Sequence, residues 1–226
     1  MSTVKWDEND TPVSEQFDDP YYSRGEGQAE SRHVFLDGNS LPARWEGRPT
    51  FTIAELGFGT GLNFLETVAT WQGSDENLRP NLTYVSFELY PMTRSDLERA
   101  LGAWDGLTEL TSELCLHWPP SQGWSTVNVG RVHLELGVGD ATTLVPNWAG
   151  NADAWYLDGF SPAKNPEMWG ADLMRDVFDH TAPQGTFATF TAAGWVRRNL
   201  QDAGFQVEKM QGFGRKRECL RGCRTD

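Results

Sequence analysis

The chain has 226 residues, 38% of them hydrophobic, with a formal net charge of -13, three cysteines and four scattered histidines. That length suits one compact domain rather than two, no apolar run approaches the roughly 20 residues of a membrane span, and residues 1–8 lack the apolar stretch of a signal peptide. Cys115, Cys219 and Cys223 have no paired spacing for zinc or disulfides, and the negative charge disfavours a general nucleic-acid binder, so a cytoplasmic protein with no metal and no membrane contact is expected.

Residues 1–32 are acidic and aromatic, with the run Asp18-Asp19-Pro20-Tyr21-Tyr22-Ser23, and read as an extended arm. Residues 33–36 and 41–45 flank Asp37-Gly38-Asn39, which predicts a small hairpin turning at that tripeptide. Arm and hairpin, residues 1–50, form either a packed N-terminal extension or a lid over the core of residues 51–226.

Residues 52–64 read Thr-Ile-Ala-Glu-Leu-Gly-Phe-Gly-Thr-Gly-Leu-Asn-Phe. Phe51, Ile53 and Leu56 predict a short buried strand, while Leu62, Leu65, Val68 and Ala69 mark one face of a helix. Gly57, Gly59 and Gly61 therefore sit on a strand-to-helix turn, where backbone amides can approach a ligand closely. The Gly-x-Gly-x-Gly spacing, with Glu55 two residues ahead, differs from the Gly-x-Gly-x-x-Gly of dinucleotide binders and suits a nucleoside cofactor without phosphate, such as S-adenosylmethionine. A turn whose glycines serve packing alone is the plainer alternative.

Residues 81–87 alternate as a second strand and end on Glu88, 27 residues past Gly61, where an acid can accept both hydroxyls of a ribose diol. Residues 94–118 carry leucines at helical spacing and stop at Pro119-Pro120. A third strand over 131–136 runs into Gly139-Asp140-Ala141, which can present an amide and a carboxylate to an adenine rim, with Asp140 also suited to cap a helix. The fourth strand, 152–157, delivers Asp158-Gly159-Phe160-Ser161-Pro162 to the same edge. Here a carboxylate can orient a cationic or amine substrate and Phe160 offers a stacking face; Asn165 then caps a helix with Pro166 in its first turn. No histidine motif supports Ser161 as a nucleophile.

A fifth strand (185–191), a helix (195–203) ended by Gly204, a sixth strand (205–210) and a seventh (217–221) complete a doubly wound α/β pattern. Residues 195–226 hold eight basic residues against four acidic ones. A solvated basic edge and an RNA contact through Arg197, Arg198, Arg215, Lys216 and Arg217 are equally consistent with that charge.

The runs Phe17-Asp18-Asp19 with Tyr21 to Ser23, residues 54–64, residues 154–169, residues 193–205 and Gly212-Phe213-Gly214-Arg215-Lys216-Arg217-Glu218 closely resemble one family. It is the methyltransferase half of the bifunctional tRNA wobble-uridine modification enzymes of the MnmC type, also found stand-alone as the MnmD type. The resemblance spans nearly the whole chain and is most specific through Asp158. It implies a class I S-adenosylmethionine-dependent (Rossmann-like) fold with a seven-stranded, mostly parallel sheet. It also implies methylation of the primary amine of 5-aminomethyl-2-thiouridine in tRNA, leaving S-adenosylhomocysteine. The expected cofactor set is Glu55, Gly57, Phe58, Gly59, Gly61, Asn63, Glu88, Gly139, Asp140, Ala141 and Asp158, with Asp158 and Phe160 at the reacting amine. No second glycine-rich motif for a flavin occurs in these residues, so the sequence is either the stand-alone form, with an upstream flavin-dependent oxidase as a separate partner, or a part of a bifunctional protein. A methyltransferase acting on a small-molecule or protein amine would use the same core residues.

Overall fold

The structure, a computed structural model, describes residues 2–23, 25–118, 120–214 and 216–226. Three short strands, β1 (Val4–Trp6), β2 (Pro12–Ser14) and β3 (Asp19–Pro20), pair antiparallel as a small sheet of their own. A short helix α1 (Gly27–Ser31) continues into a wide π-turn over Arg32–Asp37. The predicted hairpin is thus absent. Val34, Phe35 and Leu36 are three successive buried residues, which suits a helix pressed into a core better than a half-exposed strand. Gly38 keeps a helical φ of -58° and lies so close to the sheet that an added Cβ would stand 2.7 Å from Ala188 Cβ. Asn39 donates its side-chain amide to the carbonyls of Phe35 and Trp155, so the polar turn residue is spent on docking.

The remaining elements alternate: β4 (Thr50–Leu56), α2 (Leu62–Gly73), β5 (Asn81–Glu88), α3 (Arg94–Leu101), α4 (Thr108–Leu116), β6 (Gly123–Val129), β7 (Val132–Val138), α5 (Ala141–Leu144), β8 (Ala152–Leu157), α6 (Ala171–Asp179), β9 (Thr181–Thr189), α7 (Gly194–Ala203), β10 (Gln206–Gln211) and β11 (Glu218–Cys223). The sheet order is β10-β11-β9-β8-β4-β5-β7-β6. Contacts among β9, β8, β4, β5 and β7 are parallel, and β11, β10 and β6 are added by antiparallel pairing.

This sheet has eight strands rather than the seven expected. The eighth, β6, forms a hairpin with β7 through Gly130 and Arg131, both at positive φ (57° and 72°), the geometry of a two-residue turn of the I′ type. The single helix expected over 94–118 is broken into α3, a 3-10 turn at Asp105–Leu107 and α4. Asn165 precedes a 3-10 turn, Pro166–Trp169, without a capping bond from its side chain.

Alternate residues of the central strands supply the cores on the two faces. Ile53, Tyr84, Leu134 and Tyr156 point to the side of the π-turn, α2, α3 and α4, and Ala54, Val85, Trp155 and Leu157 to the side of α6 and α7. Fully buried rings such as Phe51, Phe64, Trp155 and Phe187 each stabilise the fold by about 1.5–3 kcal/mol through removal from water. Glu66, buried in α2, accepts from Gln28 Nε2 and pairs with Arg32 Nε, which ties the N-terminal segment to the domain.

Strand register decides what meets at the carboxyl edge. Leu56 pairs with Phe87 on one side and with Leu157 on the other, and Glu88 pairs with Val138. The next residues along, Gly57, Glu88, Asp158 and Gly139, therefore leave the sheet side by side. In an open α/β sheet this edge is where ligands bind.

Candidate active site

A cavity of about 440 Å³ opens at that edge. Its floor is the turn between β4 and α2, where Gly57, Gly59 and Gly61 adopt φ of 81°, 54° and 75°, a region that side chains disfavour. Space matters as well: a Cβ on Gly57 would stand 3.3 Å from Gly159 Cα, and one on Gly59 would stand 3.3 Å from the Tyr21 ring. Gly57, Phe58, Gly59 and Asn63 line the cavity. Gly61 does not; it is the left-handed cap that starts α2, and an added Cβ would collide with the Phe58 ring at 2.8 Å. Phe58 is itself nearly buried and stacks on Trp118 at 5.3 Å, so its ring serves the core and its backbone the cavity.

Glu88 leaves β5 with each carboxylate oxygen engaged by a backbone amide, Gly59 N–H at 2.9 Å and Tyr90 N–H at 2.7 Å. Burial raises its pKa and these amides oppose the rise, so the acid is fixed at the rim with lone pairs still able to accept from a diol. Gly139, Asp140 and Ala141 line the cavity beside Glu88, and Gly139 N–H donates to the Glu88 carbonyl at 3.0 Å. Asp140 Oδ1 accepts from Thr142 N–H at 2.9 Å and Thr142 Oγ at 2.7 Å, which makes it the cap of α5.

Asp158 follows β8, on the other side of β4 from Glu88, and lines the same cavity. Its Oδ1 accepts from Gly159 N–H at 2.8 Å and its Oδ2 from Asn63 Nδ2 at 2.7 Å. Desolvation by burial pushes its pKa up to about 6 despite those donors. The same Asn63 amide donates to Glu55 Oε1 at 3.0 Å, and Ser31 Oγ donates to Asn63 Oδ1 at 2.6 Å. Glu55 is fully buried, bonded by Ser86 Oγ at 2.8 Å, and lies outside the cavity lining. Its place is behind the wall, where it holds Asn63 while burial and the nearby Asp158 drive its pKa well above the carboxylate range.

The stacking face expected of Phe160 is shared with the arm. Phe17 stacks on it at 4.6 Å and 24°, and Tyr21 meets its plane edge-on at 5.1 Å. Asp19 accepts from Ser161 N–H at 2.8 Å and pairs with Lys164 at 3.3 Å, and Lys164 also donates to the Asp18 carbonyl. The arm thus closes one side of the cavity around the Asp158 loop. Sequence reasoning named neither these contacts nor Leu89, Met168, Phe190 and Glu30, which also line it. The acidic-aromatic run at 17–22 was the available signal, since such a cluster has little reason to persist on a solvated arm.

Of the basic residues, Lys216 reaches the cavity lining. Arg198 and Arg217 are exposed and Arg197 is half-buried, with its Nε buried and unbonded. Arg215 lies outside the described residues. Among the described residues no group of three His, Cys, Asp or Glu is placed to hold a metal, and no helix is long and apolar enough to cross a membrane.

A glycine turn, an acid at the end of the neighbouring strand and the acidic cap of α5 meet at one cavity on the carboxyl edge of the sheet, an arrangement of the kind found in α/β transferases of the S-adenosylmethionine type. A family model described as an S-adenosyl-L-methionine-dependent methyltransferase matches residues 105–225. The chain belongs to that family.

The bifunctional tRNA 5-methylaminomethyl-2-thiouridine biosynthesis protein MnmC of Aeromonas hydrophila is 46% identical over 99% of this chain and 35% of its own length. The protein of the same name from Idiomarina loihiensis is 47% identical over 98% of this chain and 38% of its own. The chain therefore spans little more than a third of these curated relatives. Among solved structures, MnmC2 from Aquifex aeolicus superposes with a TM-score of 0.77 at 22% identity, covering 98% of this chain and 70% of that one. A precorrin-6y methyltransferase from Geobacter metallireducens shares the fold more distantly, with a TM-score of 0.52 and 12% identity.

Proposed function

We propose that the chain methylates the primary amine of a 5-aminomethyl-2-thiouridine at the tRNA wobble position. The observation that carries this reading is Asp158, a carboxylate held by Asn63 and Gly159 at the mouth of the cofactor cradle. The names of relatives that match 98–99% of the chain support the tRNA substrate. Residues 1–50 then act as an extension over the site and 51–226 as the catalytic core, working in the cytoplasm.

When bound, S-adenosylmethionine supplies a methyl group made electrophilic by its sulfonium. The protein's part is placement. Gly57 and Gly59 let the backbone close on the cofactor, Glu88 takes the ribose hydroxyls, and Glu55 acts through Asn63. Asp158 aims the amine along the line of displacement, where orientation alone supplies much of the rate. The attacking nitrogen must be neutral, whereas a free alkyl amine is mostly protonated near pH 7. A carboxylate with a pKa of about 6 is mostly ionised at neutral pH, so it can bind the ammonium and receive its proton. Arg197, Arg198, Arg217 and Arg215 are assigned to tRNA phosphates.

Nucleoside mass spectrometry of tRNA bearing the aminomethyl group, after incubation with S-adenosylmethionine, should show conversion to the methylaminomethyl nucleoside. The net charge of -13 favours a second reading, methylation of a small-molecule amine. Turnover with a metabolite extract but not with tRNA would select it.

A further inference from the structure

Lys216 holds its ammonium inside the cavity rim in an arrangement that none of the cofactor contacts requires. Its Nζ donates to Glu30 Oε1 at 2.7 Å and lies 4.6 Å from the centroid of the Phe190 ring. The Glu30 side chain is only 12% exposed, whereas Lys216 is 44% exposed and enters from solvent. Glu30, Phe190, Lys216 and Asp158 line the same cavity, and Asp158 feels the charge of both Glu30 and Lys216. Ser23 Oγ donates to the second Glu30 oxygen, so the carboxylate is fixed from behind and aimed at the ammonium.

A lysine tip is a methylene bearing a primary ammonium, the same chemistry as an aminomethyl group on a ring. A carboxylate and an aromatic face are the two groups that recognise such a cation. We propose that Glu30 and Phe190 form a subsite for the substrate's primary alkylammonium, with Lys216 as an internal placeholder that the substrate amine displaces. This rests on the amine-methylation reading and adds a second acid to it. Glu30 holds the charged amine and Asp158 takes its proton. Lys216 leaves into solvent, where its ammonium is rehydrated, and the incoming ammonium takes over the bond to the largely buried Glu30 carboxylate. Once displaced, it is free to meet substrate phosphate.

Propylammonium is a suitable probe, since it carries the lysine tip without tRNA. With S-adenosylhomocysteine present, saturation-transfer NMR should show propylammonium bound to Lys216→Met at least tenfold more tightly than to the unaltered chain. Adding Glu30→Gln should weaken that binding roughly 10- to 150-fold, the range for a lost charge-assisted hydrogen bond. Phe190→Leu in the Lys216→Met background should weaken it too, which covers the case in which Glu30→Gln does not fold. Equal binding by Lys216→Met with and without Glu30, or no binding by Lys216→Met, overturns the subsite. With aminomethyl tRNA, Glu30→Gln should raise KM while leaving S-adenosylmethionine affinity unchanged, and an unaltered KM also counts against it. A positive propylammonium result beside a failure of the unaltered chain to methylate tRNA would sink the tRNA reading and leave the subsite standing.

Discussion

Asn63 donates its side-chain amide to Asp158 Oδ2 at 2.7 Å and, with the same nitrogen, to Glu55 Oε1 at 3.0 Å. One amide thereby separates the buried Glu55 carboxyl from the half-buried Asp158 and fixes the one that faces the cavity. Asn63→Asp would replace the donor with a third acid. Leaving both carboxyl groups without their donor should cost about 1–3 kcal/mol, or several degrees of melting temperature for a chain of this size. The loss should shrink as pH falls and the acids protonate; scanning calorimetry at pH 5 and pH 8 checks both.

Glu88→Ala should weaken S-adenosylmethionine and S-adenosylhomocysteine alike. The lost charge-assisted bonds correspond to about 1.5–3 kcal/mol, or roughly 10- to 150-fold. Gly59 and Tyr90 also lose the acceptor that shapes the turn. Glu88→Gln, which keeps one acceptor oxygen, should fall between. Titration calorimetry giving unchanged affinity in the alanine variant would remove Glu88 from the ribose.

Most of the parallel sheet and its glycine turn were legible in the sequence because central strands bury both faces and read as apolar runs. The strand read over 152–157 matches β8 in full, and the one read over 81–87 and ending on Glu88 matches β5. β6 was not legible: it is an edge strand whose exposure alternates residue by residue, with Trp124 45% exposed, and it is stabilised by pairing with β7 more than by its own pattern. Asp37-Gly38-Asn39 signalled a hairpin on local chemistry, yet burial of Val34, Phe35 and Leu36 against the sheet wins and keeps the segment helical. Asp158 stood out through its glycine-proline loop. Glu30 did not, because its partner is 186 residues away and only tertiary structure joins them.

Replacing Arg198 and Arg217 with Gln should weaken tRNA binding and flatten its dependence on salt by a log-log slope of about 0.7–0.9 per lost phosphate contact. Cofactor affinity should hold, since neither residue lines the cavity. An unaltered slope in filter-binding measurements would return these two arginines to the solvated surface.

Asp158 costs stability where it is ionised. Its pKa in the folded chain is about 6 against an ordinary value of 3.8, so the acid binds its proton more tightly when folded. Its contribution is most favourable below pH 4 and is lost as pH rises through 6. Asp158→Asn, neutral throughout, should therefore be more stable than the unaltered chain at pH 8. We expect roughly 1–2 kcal/mol, allowing for the partial opening of the site to water. That gain should fade below pH 6, and a melting curve showing no pH dependence in the difference would contradict the raised pKa.

The central claim is that Asp158 orients and deprotonates the amine while the cofactor is held by other residues. It is tested most directly by single-turnover methyl transfer to aminomethyl tRNA with the Asp158→Asn variant, followed by nucleoside mass spectrometry at saturating S-adenosylmethionine. The account predicts transfer slowed at least about 10- to 150-fold, the loss of one charge-assisted contact, with S-adenosylmethionine affinity close to that of the unaltered chain. Transfer at the unaltered rate would show that the amine is oriented and deprotonated without Asp158.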